Sequence, residues 1–273
     1  MDRKIIMIIS ALIALLAIVA AGSGLFWNGL YKNDSISGAA QETGNDLVTL
    51  VLCVPLLLVS AYFAAKGSLR GRLVWTAMVF YFVYVYGMMS FESAYNQLFL
   101  VYVAAFSLSL YTFAGSLLTL DVNMVKESFA DAPVKLTAGF MFLVGIMISL
   151  MWLALISGTF GALADGQRPA VLETYTTLVI QALDLGVIVP LCMIAGYLLL
   201  KRNAWGYTLA SLILIKGATL GTAVLSMALF MALNGVEVVL PEVIIFVLLV
   251  AISVVLAFLY YGKMKAPAVA GLA

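Results

Sequence analysis

Two ionisable residues stand where an oily sequence would be expected to carry none. Asp184 opens "DLGVIVPLCM" (184–193), and Lys216 sits inside "LILIKGATLG" (212–221). A buried amine can hold an anionic or carbonyl-bearing ligand, act as a nucleophile, or serve as an internal counter-ion. A buried carboxyl can take up and release a proton. Each charge at a membrane-helix centre costs about 2.5–3.5 kcal/mol on insertion scales, so residues of this kind mark function or pair with one another. If the surrounding runs are helices, Asp184 lies about 16 Å in from one end and Lys216 about 14 Å in from the other. Both depths reach the middle of a hydrocarbon core about 30 Å thick. The short link "KRNAWG" makes the two helices antiparallel neighbours, so an intramembrane ion pair or a water-bridged pair is expected.

The flanking residues extend the pattern. Glu173, Thr177, Gln181 and Asp184 follow helical spacings and would share one face, with apolar Ile188 and Leu191 continuing it. Lys216 is followed by Thr219 and Ser226 on roughly its own side, while Leu209 and Leu212 lie in the preceding turns. The expectation is an aqueous pocket, polar in its outer half, dry in its inner half and floored by Asp184 and Lys216. Tyr84 and Tyr86, from "VFYFVYVYGMM", supply hydroxyls that need partners when buried. Gly217 and Gly221 have the small-xxx-small spacing of close helix packing.

Composition fixes the setting of these residues. Of 273 residues, 65% are hydrophobic and 10% charged, whereas a soluble domain carries about 25% charged residues. This indicates an all-α, polytopic membrane bundle whose first partner is the lipid bilayer. The net charge of +1 and the lack of a basic cluster exclude a nucleic-acid binder. There is no histidine, and the two cysteines, Cys53 and Cys192, lie in different apolar runs. Metal cofactors therefore lack their usual ligands, and a disulfide framework is excluded. Oligomeric state and the small-molecule ligand are left open.

Apolar runs long enough to cross fall at 4–26, 47–65, 73–90, 98–120, 136–161, 173–200, 207–233 and 243–262, giving eight transmembrane helices. "NGLYKNDSISGAAQETGND" (28–46) reads as a flexible exposed loop. Eleven of the 14 Lys and Arg gather on one side if the N-terminus is inside. By the positive-inside rule both termini are cytoplasmic, in a multi-pass protein of the cell membrane. Asp34, Glu42, Asp46, Glu92, Asp165, Glu173, Glu237 and Glu242 then lie outside, read as solvated loop residues.

Pro55, Tyr62 and Lys66 recur as Pro190, Tyr197 and Lys201, 135 residues later. This suggests a parallel repeat of two four-helix halves, 1–133 and 134–273. Aligning the halves through Gly87 and Gly217 places Tyr86 at the position of Lys216. The candidate binding residues are therefore Asp184, Lys216, Gln181, Thr177, Thr219, Tyr86 and Tyr84. Their first reading is a small-solute or proton-coupled transporter with a site open to the outside. The alternatives are an outward-facing receptor for a small or covalently attached ligand, and an intramembrane lipid-modifying enzyme. For an enzyme the catalytic inventory is thin: the sequence shows no Ser–His or Cys–His partner set.

Overall fold

The computed structural model describes residues 1–265. Among them are eight helices long and apolar enough to cross a bilayer: α1 (Arg3–Phe26), α2 (Ile36–Ala65), α3 (Leu69–Phe91), α4 (Phe99–Leu118), α5 (Val134–Ala164), α6 (Val179–Leu200), α7 (Ala204–Leu233) and α8 (Leu240–Gly262). No strand occurs among the described residues. Helix starts carry the side chains expected of them. Asp2, Ser35, Ser68 and Asn203 each accept a hydrogen bond from a backbone N–H of the first turn, at 2.8, 2.9, 3.1 and 2.9 Å, removing donors that would otherwise be orphaned. Arg70 at the start of α3 donates to the carbonyl of Tyr261 near the end of α8 (2.9 Å), and the Lys265 N–H donates to Ser128 O (2.9 Å). We call the face where α1 begins and α8 ends proximal, and the other distal.

The helix α3 forms the axis of the bundle. Its apolar window is 83% buried, against 17% for α5 and for α8, which turn most of their surface outward. Two cores flank α3. One gathers α1, α2 and α4 around Trp75, Tyr81 and Tyr102; the other gathers α5 to α8 around Phe140, Leu214 and Tyr260. Gly217 and Gly221 seat α7 against Ser253 and Val250 of α8, where a side chain would collide.

Two boundaries differ from the sequence reading. The supposed loop 28–46 is helical from Ile36, and α2 buries Glu42, Asn45 and Asp46. Gly44 permits this: a Cβ there would lie 2.7 Å from the backbone of Met227, so α2 and α7 touch main chain to main chain. The small, polar composition reflects close packing around polar groups rather than a solvated loop. Conversely, α6 begins at Val179, not 173, because Glu173 takes a positive φ of 44° and ends a short 3₁₀ turn.

Several local features recur at the 135-residue spacing. Thr49–Cys53 and Asp184–Ile188 are both single π-helical turns, closed by bonds from Val54 N–H to Thr49 O and from Val189 N–H to Asp184 O. Each precedes a proline, Pro55 or Pro190, whose missing N–H and ring would disrupt an uninterrupted α-helix. Lys66 lies over the Tyr62 ring (4.3 Å) and Lys201 over Tyr197 (5.8 Å). The following turns use left-handed residues, Gly67 (87°) and Arg202 (51°). Gly71 and Gly206 then each press against the backbone of the preceding helix. In this register Tyr81, not Tyr86, stands at the position of Lys216.

Candidate functional site

A cavity of about 830 Å³ lies among α5, α6, α7 and α8, with α3 as its back wall. It runs from Glu237 and Glu242 at the distal face down to Ser253 and Phe140. Its walls are aliphatic and aromatic almost throughout, as in Ile148, Leu220, Val224 and Phe246. The helices α5 and α8 both line it and make few contacts with each other.

The polar end of the cavity is built from four side chains. Asp184, the first residue of the α6 π turn, accepts hydrogen bonds from the Tyr84 hydroxyl of α3 (2.7 Å) and from the Trp152 indole of α5 (2.8 Å). Both its oxygens are therefore satisfied by neutral donors. Lys216 is only 4% exposed, and its Nζ lies 4.0 Å from the centre of the Tyr84 ring and 5.2 Å from that of Phe80. The ammonium is held against aromatic faces. Among the described residues it donates to no protein acceptor, so its three N–H groups remain available to a ligand in the cavity.

Lys216 and Asp184 do not form the expected ion pair: the salt bridge found among the described residues joins Lys265 to Asp131, at the proximal face. The physical reason is a stagger in depth. Counted from the proximal helix ends, Lys216 stands about 18 Å up α7 and Asp184 about 24 Å up α6. Tyr84 fills the interval, presenting its ring to the ammonium and its hydroxyl to the carboxylate.

The other sequence-selected residues scatter. Thr177 is exposed and lies ahead of α6, in irregular chain with Glu173. Gln181 is half-buried on α6, with Oε1 lacking a partner. Thr219 is buried but returns its hydroxyl to Ile215 O (3.0 Å) and Lys216 O (3.2 Å) of its own helix. Tyr86 stacks between Phe82 (6.1 Å) and Tyr102 (6.5 Å) in the other core. Of the seven, Tyr84, Asp184 and Lys216 line the cavity. The aqueous outer entrance expected from the stripe is replaced by apolar walls, because the stripe's first two residues are not helical. Trp152, a direct partner of Asp184, carried no periodic or charge signal in the sequence; it comes from a helix 32 residues away in the chain.

A second polar group, also missed, sits at the distal end of the other core. The Tyr31 hydroxyl donates to Asp46 Oδ2 (2.6 Å), and Tyr81 bonds Thr49 (2.9 Å) and Asn45 Oδ1 (3.3 Å). Gly24 makes room for the Tyr31–Asp46 pair, since a Cβ there would collide with both groups. Asp34 accepts from Ala94 N–H (2.8 Å) and from the Tyr175 hydroxyl (3.3 Å). Burial pushes the Asp34 carboxyl above its ordinary range, against those two bonds. Burial, and then Asp34, push Glu92 up to about 7. These residues were read as solvated because they are acidic and near span ends. The signal that would have found them is the spacing of Glu42, Asn45 and Asp46, one face of a helix among glycines and alanines.

The fold is that of a multi-pass membrane protein. No protein-family model, curated protein or solved structure matches the chain.

Proposed function

We propose that the protein is a carrier for an amphiphilic, membrane-soluble compound with an anionic or carbonyl-bearing head. The observation that carries this reading is the Lys216 ammonium, presented without a protein acceptor at the end of an apolar cavity of about 830 Å³. That volume is within the usual range for ligand sites, which combine apolar walls with a few polar groups that fix orientation. A water-soluble solute would leave those walls unmatched. An acyl or isoprenoid chain would fill them and place its head at Lys216. The sparse packing of α5 against α8 makes that side the proposed way in from the bilayer.

Two further features favour a carrier over a fixed receptor. Each four-helix half, read as a duplicated unit, has a π turn ahead of a proline, and such interruptions often act as hinges. Asp184 is itself the first residue of one of these turns. Movement of α6 about it would change the two hydrogen bonds from Tyr84 and Trp152, and with them the position of the ring that holds Lys216. The corresponding pair in the first half is neutral, Thr49 with Tyr81, so the ligand head is assigned to the second half.

A long-chain fatty acid carrying an environment-sensitive fluorophore serves as the probe. Saturable binding by purified protein, weakened at least about tenfold in Lys216→Met, supports the reading, as a lost charge-assisted contact is worth about 1.5–3 kcal/mol. Movement between leaflets of proteoliposomes by wild type but not by the variant supports carriage. Equal binding by both proteins would refute the assignment of the head group.

A further inference from the structure

The cluster at the distal end of α2 is separate from that cavity, and three observations there point to a ligand. First, two acidic side chains are buried with no cation beside them. Glu42 and Asp46 are 6% and 4% exposed, one turn apart on one helix face. The nearby cation, Lys32, is exposed on the rim and makes no salt bridge with either of them. Leaving a charge buried without a partner costs several kcal/mol.

Second, hydrogen-bonding capacity is left over inside the cluster. Glu42 Oε2 and Asp34 Oδ2 have no partner, and neither do Asn45 Nδ2, Asn96 Nδ2 and the Tyr102 hydroxyl. Asn45 is fully buried, and Asn96 and Tyr102 are 8% and 1% exposed. Buried polar atoms are almost always bonded to protein or to something held by it. Of these, Glu42 Oε2 and the Tyr102 hydroxyl are buried oxygens able to ligate a cation, whereas the two Nδ2 groups are donors and cannot.

Third, a pocket lies beside the cluster. A pocket of about 290 Å³ opens at the distal surface, and Tyr31 and Asp34 belong to its wall. Tyr31, on that wall, donates to Asp46, so one side chain separates the pocket from a buried carboxyl.

We propose that Glu42 and Asp46, with the Tyr102 hydroxyl, form a binding site for a small monovalent cation, for which sodium is the natural probe. Among the described residues no three acidic, cysteine or histidine side chains converge as a metal-ligand group. One or two carboxylate oxygens completed by hydroxyl and water oxygens match a single positive charge better than a divalent ion, which prefers six or more oxygen ligands, several of them charged. The cation supplies the counter-charge that no side chain provides. The Tyr31 hydroxyl holds one oxygen of Asp46 in place, leaving Oδ1 and the Glu42 carboxylate to face the ion.

The test uses the full-length protein in detergent at pH 8, with sodium chloride compared against choline chloride at equal ionic strength. The site predicts a saturable rise in unfolding temperature with sodium and none with choline, together with saturable binding of radioactive sodium. Glu42→Gln and Asp46→Asn should raise the half-saturating sodium concentration about tenfold or more. Should either fail to fold, Tyr102→Phe, which removes the hydroxyl ligand, carries the same prediction with a smaller shift. Identical unfolding curves in sodium and choline, with no retained radioactive sodium, would overturn the proposal; such a result would mean that protons neutralise the carboxylates. Sodium binding unchanged in folded variants would overturn it equally.

Discussion

Replacing Tyr84 by phenylalanine isolates one hydroxyl in the polar end of the cavity. The hydroxyl donates to Asp184 at 2.7 Å, in a site where the carboxylate's other oxygen is held by Trp152 at 2.8 Å. Hydrogen bonds to a charged group contribute about 1.5–3 kcal/mol, and a buried acceptor left unpaired costs its desolvation as well. Phenylalanine keeps the ring 4.0 Å from Lys216 Nζ, so the cation–π contact survives and the loss is confined to Asp184. The predicted destabilisation is therefore about 2 kcal/mol, close to a thirtyfold change in the folded-to-unfolded ratio. Equilibrium unfolding in mixed detergent micelles, followed by tryptophan fluorescence, measures it. Tyr84→Leu removes the ring too and should cost a further ~1 kcal/mol. A loss below about 0.5 kcal/mol in Tyr84→Phe would show that bulk water already satisfies Asp184, and the sealed polar end would have to be abandoned.

Other outcomes follow from separate parts of the bundle. The Glu92 carboxyl has an ordinary value of 4.5, and in the folded protein it is pushed up to about 7. A raised folded value means the native state binds the proton more tightly, so stability is greatest below about pH 4.5 and declines as pH rises through about 7. Glu92→Gln should flatten that part of the pH profile measured by thermal unfolding, and an unchanged profile would contradict it. Gly44→Ala forces a methyl against the α7 backbone at 2.7 Å, and strain of this kind costs about 1–3 kcal/mol; the same unfolding assay reads it, whereas Gly22→Ala, with open space around it, should be neutral.

The eight helices were legible because each needs only an apolar run of sufficient length, and composition reports that directly. Asp184 and Lys216 were legible for the complementary reason that a charge in such a run is costly enough to stand out. How they relate was not, because their relation depends on a third residue, Tyr84, and on which helix ends the depths are counted from. Counting the helix from 173 placed Asp184 at the depth of Lys216, whereas counting from the proximal ends, Leu200 and Ala204, leaves a stagger that Tyr84 spans. The start of α2 escaped for the opposite reason. Glycine, serine and acidic residues are the usual composition of loops, and only the close approach of α7 at Gly44 shows that the same residues permit tight packing around buried carboxylates. The 135-residue spacing was visible in Pro55 and Pro190, but the π turns before them are backbone features that follow from where each proline falls within a continuous helix.

The account rests on an ammonium that faces an apolar cavity and has no acceptor of its own. Native mass spectrometry of the protein released from mild detergent tests this most directly, with wild type and Lys216→Met prepared side by side. The prediction is a single bound amphiphile with an acidic or carbonyl head on the wild-type protein, and its loss from a folded Lys216→Met protein. An amphiphile held equally by both would show that Lys216 does not recognise the head group, and a wild-type protein that takes up no amphiphile, even from added lipid extract, would contradict the cavity's assignment.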